Sequence, residues 1–168
     1  MRRAASFSVM PQGVTMMILE NKIPPPIVAV IFGILMWCVS DGLSDPREIG
    51  MVRVAAIFLA ILVGALFCLS GVMAFRSAKT TVNPLKPESA SSLVKSGIYR
   101  FSRNPMYVGF ALFLVSWAFY LGSNLTMFGV LGFVLFITRY QILPEERAMI
   151  ALFGDEFKEY SKTVRRWL

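Results

Sequence analysis

Apolar positions along the chain fall into four blocks, each closed by a polar break carrying Pro, Gly, Ser or Asn. The first block covers residues 27–39, extending toward Leu43. It follows Pro24-Pro25-Pro26, which stops any earlier helix and hands over to the next. It is short for a bilayer, so a helix here crosses with little tilt or thins the membrane locally. The second block, residues 51–75, is long enough to cross with some tilt. Within it Ala56, Ala60 and Gly64 repeat at four-residue spacing, a small-residue seam suited to close helix packing. The third and fourth blocks, residues 105–121 and 125–140, are joined only by Gly122-Ser123-Asn124 and must pack side by side. Gly129 and Gly132 let the fourth helix approach a neighbour. Pro144 then opens a new helix with Glu145 and Glu146 in its first turn. In it Met149, Ile150, Phe153, Phe157, Tyr160, Val164 and Trp167 recur at steps of three and four. The predicted fold is all-α: a polytopic membrane bundle of about four transmembrane helices plus a C-terminal amphipathic helix, anchored at the interface by Arg165, Arg166 and Trp167.

The same pattern organises the chain as a single membrane domain, residues 1–168. Residues 1–26 form a cytoplasmic or interfacial segment, without the apolar core and cleavage site of a signal peptide. Residues 27–75 hold two spans. Residues 76–168 hold a long polar connection, the helical hairpin and the amphipathic helix. In the connection, Asn83-Pro84-Leu85-Lys86-Pro87 reads as extended and residues 89–92 as the start of a short helix.

Composition sharpens the class. A hydrophobic content of 56% and a mean hydropathy of +0.63 exceed those of an ordinary soluble domain. The net charge of +7 flanks apolar blocks instead of forming a stripe, which points to topology and anionic lipid headgroups and away from nucleic acid. Lys and Arg gather at both chain ends and in residues 76–103. That places both termini of a multi-pass membrane protein in the cytoplasm. Cys38 and Cys68 lie inside apolar runs, with no disulfide implied. Histidine is absent, which removes imidazole metal ligands and His-based acid–base chemistry, and no metal site is expected.

The candidate chemistry centres on Gly97-Ile98-Tyr99-Arg100-Phe101-Ser102-Arg103-Asn104-Pro105-Met106-Tyr107-Val108-Gly109, a basic turn feeding an apolar helix. Asn104 is suited to cap that helix, Pro105 to its first position, and Tyr107 to its first turn, where unpaired N–H groups attract anions. The cytoplasmic face thereby gathers Tyr99, Arg100, Arg103, Asn104, Tyr107, Arg139, Gln141, Glu145 and Glu146. A polar site walled by apolar helices suits an amphiphilic or lipid-like substrate entering from the membrane.

These residues carry a family resemblance. Gly-x-Tyr-x-x-x-Arg-(His/Asn)-Pro-x-Tyr-x-Gly, then Glu145-Glu146, then Phe153-Gly154-Asp155-Glu156-Phe157-Lys158-Glu159-Tyr160, resembles the isoprenylcysteine carboxyl methyltransferase and phospholipid methyltransferase superfamily of integral membrane enzymes. The resemblance covers roughly residues 80–165. It implies S-adenosylmethionine as cofactor, enclosed by Ser91, Ser92, Leu93, Val94, Tyr99, Asn104, Pro105, Met106, Tyr107 and Glu145. Asn104, Tyr107 and Glu145 are then the catalytic set, with Glu145 holding the cofactor's ammonium and Tyr rings facing its adenine or sulfonium. Glu146, about a hundred degrees round the helix, is expected to matter less. Two positions depart from the pattern. Asn104 stands where many relatives have His. The Arg that receives a prenylcysteine carboxylate falls in register with Gln141, and Arg139 lies two residues earlier; these two are the substrate-side candidates. With no His base and an Arg-rich mouth, a carboxylate or phosphate amphiphile is favoured, though oxygen, nitrogen and sulfur acceptors stay open. The alternatives are a phospholipid N-methyltransferase, an NADPH-dependent sterol-type reductase and a non-catalytic membrane subunit.

Reporters fused at residues 45 and 123 are expected outside the membrane, and those at 90 and 168 inside. A reporter at residue 90 reading outside contradicts both the topology and cytosolic access to the site.

Overall fold

The computed structural model describes residues 20, 22–40, 50–78 and 92–168, and every regular element among them is helical. The long helices are α1 (Pro25–Ser40), α2 (Met51–Ser77), α3 (Pro105–Leu121), α4 (Thr126–Ile137) and α5 (Leu143–Thr163). A 3₁₀ turn, Gly97–Arg100, precedes α3, and a π-helical turn, Thr138–Ile142, joins α4 to α5. The polar loop after α1, the extended stretch at residues 83–87 and the short helix expected from residue 89 lie outside the described residues.

Local chemistry sets the helix ends. Pro25 and Pro26 occupy the first turn of α1, and the Pro24 carbonyl accepts from the Ile27 and Val28 amides. The bounds of α3 are those the sequence predicts. It opens on Pro105 and stops at Gly122, whose φ of 76° closes the last turn with a bond from its amide to the Ala118 carbonyl. Arg53, in the first turn of α2, donates to the Phe119 and Tyr120 carbonyls at that same end. A cation on the last carbonyls of α3 also complements its dipole.

The most extensive packing is between α2 and α3. Ala60, Gly64, Gly71 and Ala74 are the buried residues of α2, so the small-residue seam holds at Ala60 and Gly64 and runs on toward α3's first turn, while Ala56 is only partly buried. Opposite lies Gly109, where a Cβ would come within 2.7 Å of the Gly64 carbonyl and collide with the Cys68 sulfur. A Cβ at Gly71 would meet Met106 Cγ at 2.8 Å. The two backbones therefore touch without intervening side chains. On α4, Gly129 faces Met36 and Gly132 faces Phe32, which seats that helix on α1. The main core, including Met36, Leu114, Phe133, Ile137 and Ile142, fills the space between α1, α3 and α4.

The outward faces are apolar. Phe58, Leu62, Leu66, Leu69 and Met73 of α2 are each more than half exposed, as are Ile34, Trp37 and Leu131 elsewhere. So much exposed hydrocarbon on a folded chain marks a lipid-facing surface. Two helices, Met51–Ser77 and the continuous Thr126–Thr163, are long and apolar enough to cross a membrane; α1 and α3 are shorter apolar helices.

Two expectations are corrected. The fourth helix does not stop near residue 140 for Pro144 to start another; the chain runs helically through both. A proline ring inside a helix collides with the carbonyl four residues back, here that of Tyr140. The wider π turn falls at that point. The amphipathic helix also does not run on to Trp167. It kinks at Gly154 (φ 51°, ψ −122°), ends at Thr163, and passes into extended backbone at Val164. Trp167 packs on the main core and donates to Thr138 Oγ1 at 3.1 Å, so it is not simply an interfacial anchor.

The glycine contacts give a paired test. Gly109→Ala is expected to destabilise the bundle by about 1–3 kcal/mol through overpacking. Gly33→Ala, whose new methyl would sit 3.8 Å from Leu114 Cδ2, is expected to be neutral or to stabilise by up to about 1 kcal/mol. Unfolding midpoints in detergent decide it; equal shifts at the two positions contradict the close packing of α2 on α3.

Candidate active site

The site forms where the turn before α3, the first turn of α3 and the α4–α5 junction meet. Residues 92–104 approach it along a track fixed by side chains. Leu93 packs against the cluster of Phe157, Tyr160 and Val164, and Val94 clusters with Ala74 and Tyr99. The buried Tyr99 ring meets Phe75 edge-on at 5.3 Å between centroids, and its carbonyl accepts from Tyr160 Oη at 2.6 Å. Burial holds the Tyr99 phenol well above its ordinary pKa, with the charges of Tyr160 and Glu145 adding to the effect. Tyr99 is thus a neutral group at physiological pH. Ser92 Oγ is buried without a hydrogen-bond partner among the described residues. Ser91 lies outside them.

Asn104 ends this track, and its role differs from the expected one. Its side chain does not cap α3. Instead Nδ2 donates to the Arg166 carbonyl at 2.8 Å, while its backbone amide donates to the fully buried Ser102 Oγ at 3.1 Å. The Asn104 carbonyl accepts from the Tyr107 and Val108 amides and starts the helix. A capping propensity read locally yields here to a partner 62 residues away. Pro105 is buried, and Met106 rests on Gly71.

One turn into α3, the buried Tyr107 donates its phenolic proton to Glu145 Oε1 at 2.5 Å. This contact joins the two halves of the sequence motif. Among the described residues Glu145 has no ion-pair partner, so a partly buried carboxylate faces a neutral phenol alone. A carboxylate withdrawn from water is stabilised by a cation, and none of the protein's described side chains supplies one.

Glu146 has the opposite surroundings. Arg166 grips it with both ends of its guanidinium, Nε to Oε1 at 2.9 Å and Nη2 to Oε2 at 2.7 Å. Arg103 Nη2 lies 3.0 Å from Oε1, with side chains only 12% and 16% exposed. Hydrogen bonding to Glu146 holds the Arg166 guanidinium more firmly protonated than usual, against a smaller opposing effect of burial. Arg103 also lies over the Phe157 ring, 5.7 Å from its centroid.

The two substrate-side candidates stand apart from this cluster. Gln141 is 1% exposed and donates through Nε2 to the Ile23 carbonyl at 2.7 Å, tying the π turn to the entry of α1. Arg139 is exposed, lies 3.7 Å from Glu20 and stacks near its neighbour Tyr140. Glu20 also receives Arg147 at 2.5 Å. Tyr99, Asn104, Tyr107 and Glu145 therefore come together, while Arg139 and Gln141 serve the N-terminal approach to α1. The contributions of Ser102, Tyr160 and Arg166 are absent from the expected set. Tyr160 closes the sequence motif and could have been singled out; Arg166 has no local signal.

A helical, lipid-facing bundle with a phenol–carboxylate pair at the mouth of a hairpin defines a membrane-protein class. Comparison with known proteins specifies it: the chain matches the phospholipid methyltransferase family over residues 52–156 and belongs to that family, within the superfamily that includes the isoprenylcysteine O-methyltransferases. It is 36% identical over 85 residues to the protein-S-isoprenylcysteine O-methyltransferase of Saccharomyces cerevisiae, covering 47% of this chain and 33% of that enzyme. With the enzyme of the same name from Schizosaccharomyces pombe it shares 34% over 74 residues, 43% of this chain and 30% of that one. An uncharacterized protein of Haemophilus influenzae is 43% identical over 63 residues, all of that protein and 38% of this chain. The chain thus spans about a third of the length of the two yeast enzymes. No solved structure matches.

Tyr160→Phe removes a buried donor and strands the Tyr99 carbonyl, at an expected cost of about 1–3 kcal/mol. Denaturant unfolding in detergent measures it. An unchanged midpoint contradicts the anchoring of the Tyr99 turn through α5.

Proposed function

We propose that this protein is an S-adenosylmethionine-dependent membrane methyltransferase whose acceptor is a small or lipid-like amphiphile. The observation that carries the reading is the Tyr107–Glu145 pair, a partly buried carboxylate without a cationic partner among the described residues. The residues fit the cofactor: Glu145 suits its ammonium, and the Ser92 hydroxyl, without a partner among the described residues, suits a polar group of the ligand. When bound, S-adenosylmethionine supplies an electrophilic methyl group on a sulfonium. The chain's part is placement. Tyr107 fixes the rotamer of Glu145, neutral Tyr99 offers a ring, and the packed track from Leu93 to Asn104 closes the site from water. With the cofactor held by Glu145 and Ser92, its methyl group would be the one supplied to the acceptor. An apolar cleft of about 520 Å³ between α1 and α3, walled by Val30, Trp37, Phe113 and Trp117, supports a substrate with a hydrocarbon tail. The reading includes four membrane crossings with both termini cytoplasmic.

One observation favours nitrogen as the acceptor over carboxylate oxygen. Gln141, in the register of the carboxylate-binding Arg, spends its amide donor on Ile23. A carboxylate acceptor thus lacks the guanidinium expected at that register, which supports the phospholipid-type N-methylation reading.

Titration of the detergent-purified protein with S-adenosylhomocysteine is expected to show binding, weakened by Glu145→Gln by about 1.5–3 kcal/mol. Equal affinity of wild type and variant refutes the role of Glu145, and binding of NADPH instead refutes the methyltransferase reading. Labelled methyl donor offered with matched acyl amines and acyl carboxylates is expected to mark the amines; label on carboxylates alone reverses the acceptor preference.

A further inference from the structure

The chain's last residues, 164–168, do not trail away from α5. They cross beneath the site and bind three of its parts at once. The Arg165 carbonyl accepts from the Arg103 amide at 3.0 Å, and the Arg166 carbonyl accepts from Asn104 Nδ2 at 2.8 Å. The Arg166 guanidinium closes on Glu146 from the other side, and Trp167 Nε1 reaches Thr138 at the π turn. The same residue thus holds Asn104 through its backbone and the residue after Glu145 through its side chain. Val164 is buried against Phe157 and Tyr160, so the segment is packed as well as hydrogen-bonded.

The consequence is geometric. Asn104 and Tyr107 belong to one end of the hairpin and Glu145 to the other, separated in sequence by the whole of α3 and α4. Direct polar contact across the gap comprises the Tyr107–Glu145 bond and the Arg103–Glu146 ion pair, and the terminal segment braces the second of these. We propose that the Glu146–Arg166 pair, with the terminal segment behind it, is a positioning clasp that sets the distance between the two ends and so the shape of the ligand site. Glu146 and Arg166 are positioning residues; neither is required to touch ligand. This rests on the methyltransferase reading for its ligand, but the clasp itself is defined by the protein's own contacts. It also revises the expectation that Glu146 matters little: it acts through Arg103 and Arg166.

The test separates the two ideas. Arg166→Gln and Arg166→Lys are made in the full chain, in detergent, since Arg166 is 37% exposed and its replacement leaves no core vacancy. Glu146→Gln is the reciprocal variant. Hydrogen exchange by mass spectrometry reads the order of residues 97–108 without any ligand. Arg166→Gln is expected to accelerate exchange there by about tenfold or more, with α1 and α4 peptides unchanged and Arg166→Lys intermediate. S-adenosylhomocysteine titration at a temperature where every variant is folded is expected to weaken by about tenfold for Arg166→Gln, in line with misplacement of a binding group by a fraction of an ångström, and to recover in part for Arg166→Lys. Unchanged exchange at 97–108 overturns the clasp. Faster exchange with unchanged affinity overturns its positioning role and leaves a structural tie. If wild type binds no S-adenosylhomocysteine, the methyltransferase reading fails, while the exchange result still decides the clasp.

Discussion

Two adjacent carboxylates at the α4–α5 junction cannot face the same way, and the structure depends on that constraint. Successive helical side chains diverge by about a hundred degrees. Glu145 turns to Tyr107 on α3, and Glu146 turns to Arg103 and Arg166. One carboxylate is fully compensated by the protein. Among the described residues the other is left with a phenol. A charge pair of matched guanidinium and carboxylate is a fixture, whereas a partly buried carboxylate without a cation is a binding element in waiting. The same dipeptide thus supplies both the rigidity of the site and its unmet electrostatic demand.

The scaffold behind the site works by subtraction. Glycines and alanines along α2 let α3 lie directly on its backbone, so Met106 and Gly109 are fixed against Gly71 and Gly64. Arg53 ties the far end of the same pair by capping the last carbonyls of α3. Between these two fastenings the first turn of α3 has little freedom to shift, and Tyr107 lies in that turn. Lipid gives no hydrophobic drive for helices to associate, so such close contacts and polar ties must supply it.

Much of this was legible in the chain because its signals are local. Pro105 and Gly122 mark α3 from first residue to last, and the Gly122-Ser123-Asn124 turn dictates the hairpin that brings residue 107 to residue 145. The seam of small residues announced the α2 contact. What was not legible depends on partners far along the chain. Asn104 has the chemistry of a helix cap, but nothing near it reveals that Arg166 will claim its amide. Pro144 reads as a helix start because proline usually is one; the π turn that lets the helix pass through it has no sequence signature. Arg165, Arg166 and Trp167 have the composition of an interfacial anchor, yet after the kink at Gly154 and the extended backbone at Val164 they bond to the site.

The most direct measurement is a structure of the detergent-solubilised or nanodisc-embedded protein with S-adenosylhomocysteine bound. The ligand's ammonium is expected within hydrogen-bonding distance of Glu145, its purine beside Tyr99, and Glu146 still clasped by Arg103 and Arg166. Ligand density away from the hairpin mouth, with Glu145 bonded to Tyr107 alone, would contradict the assignment of this pair as the heart of the site.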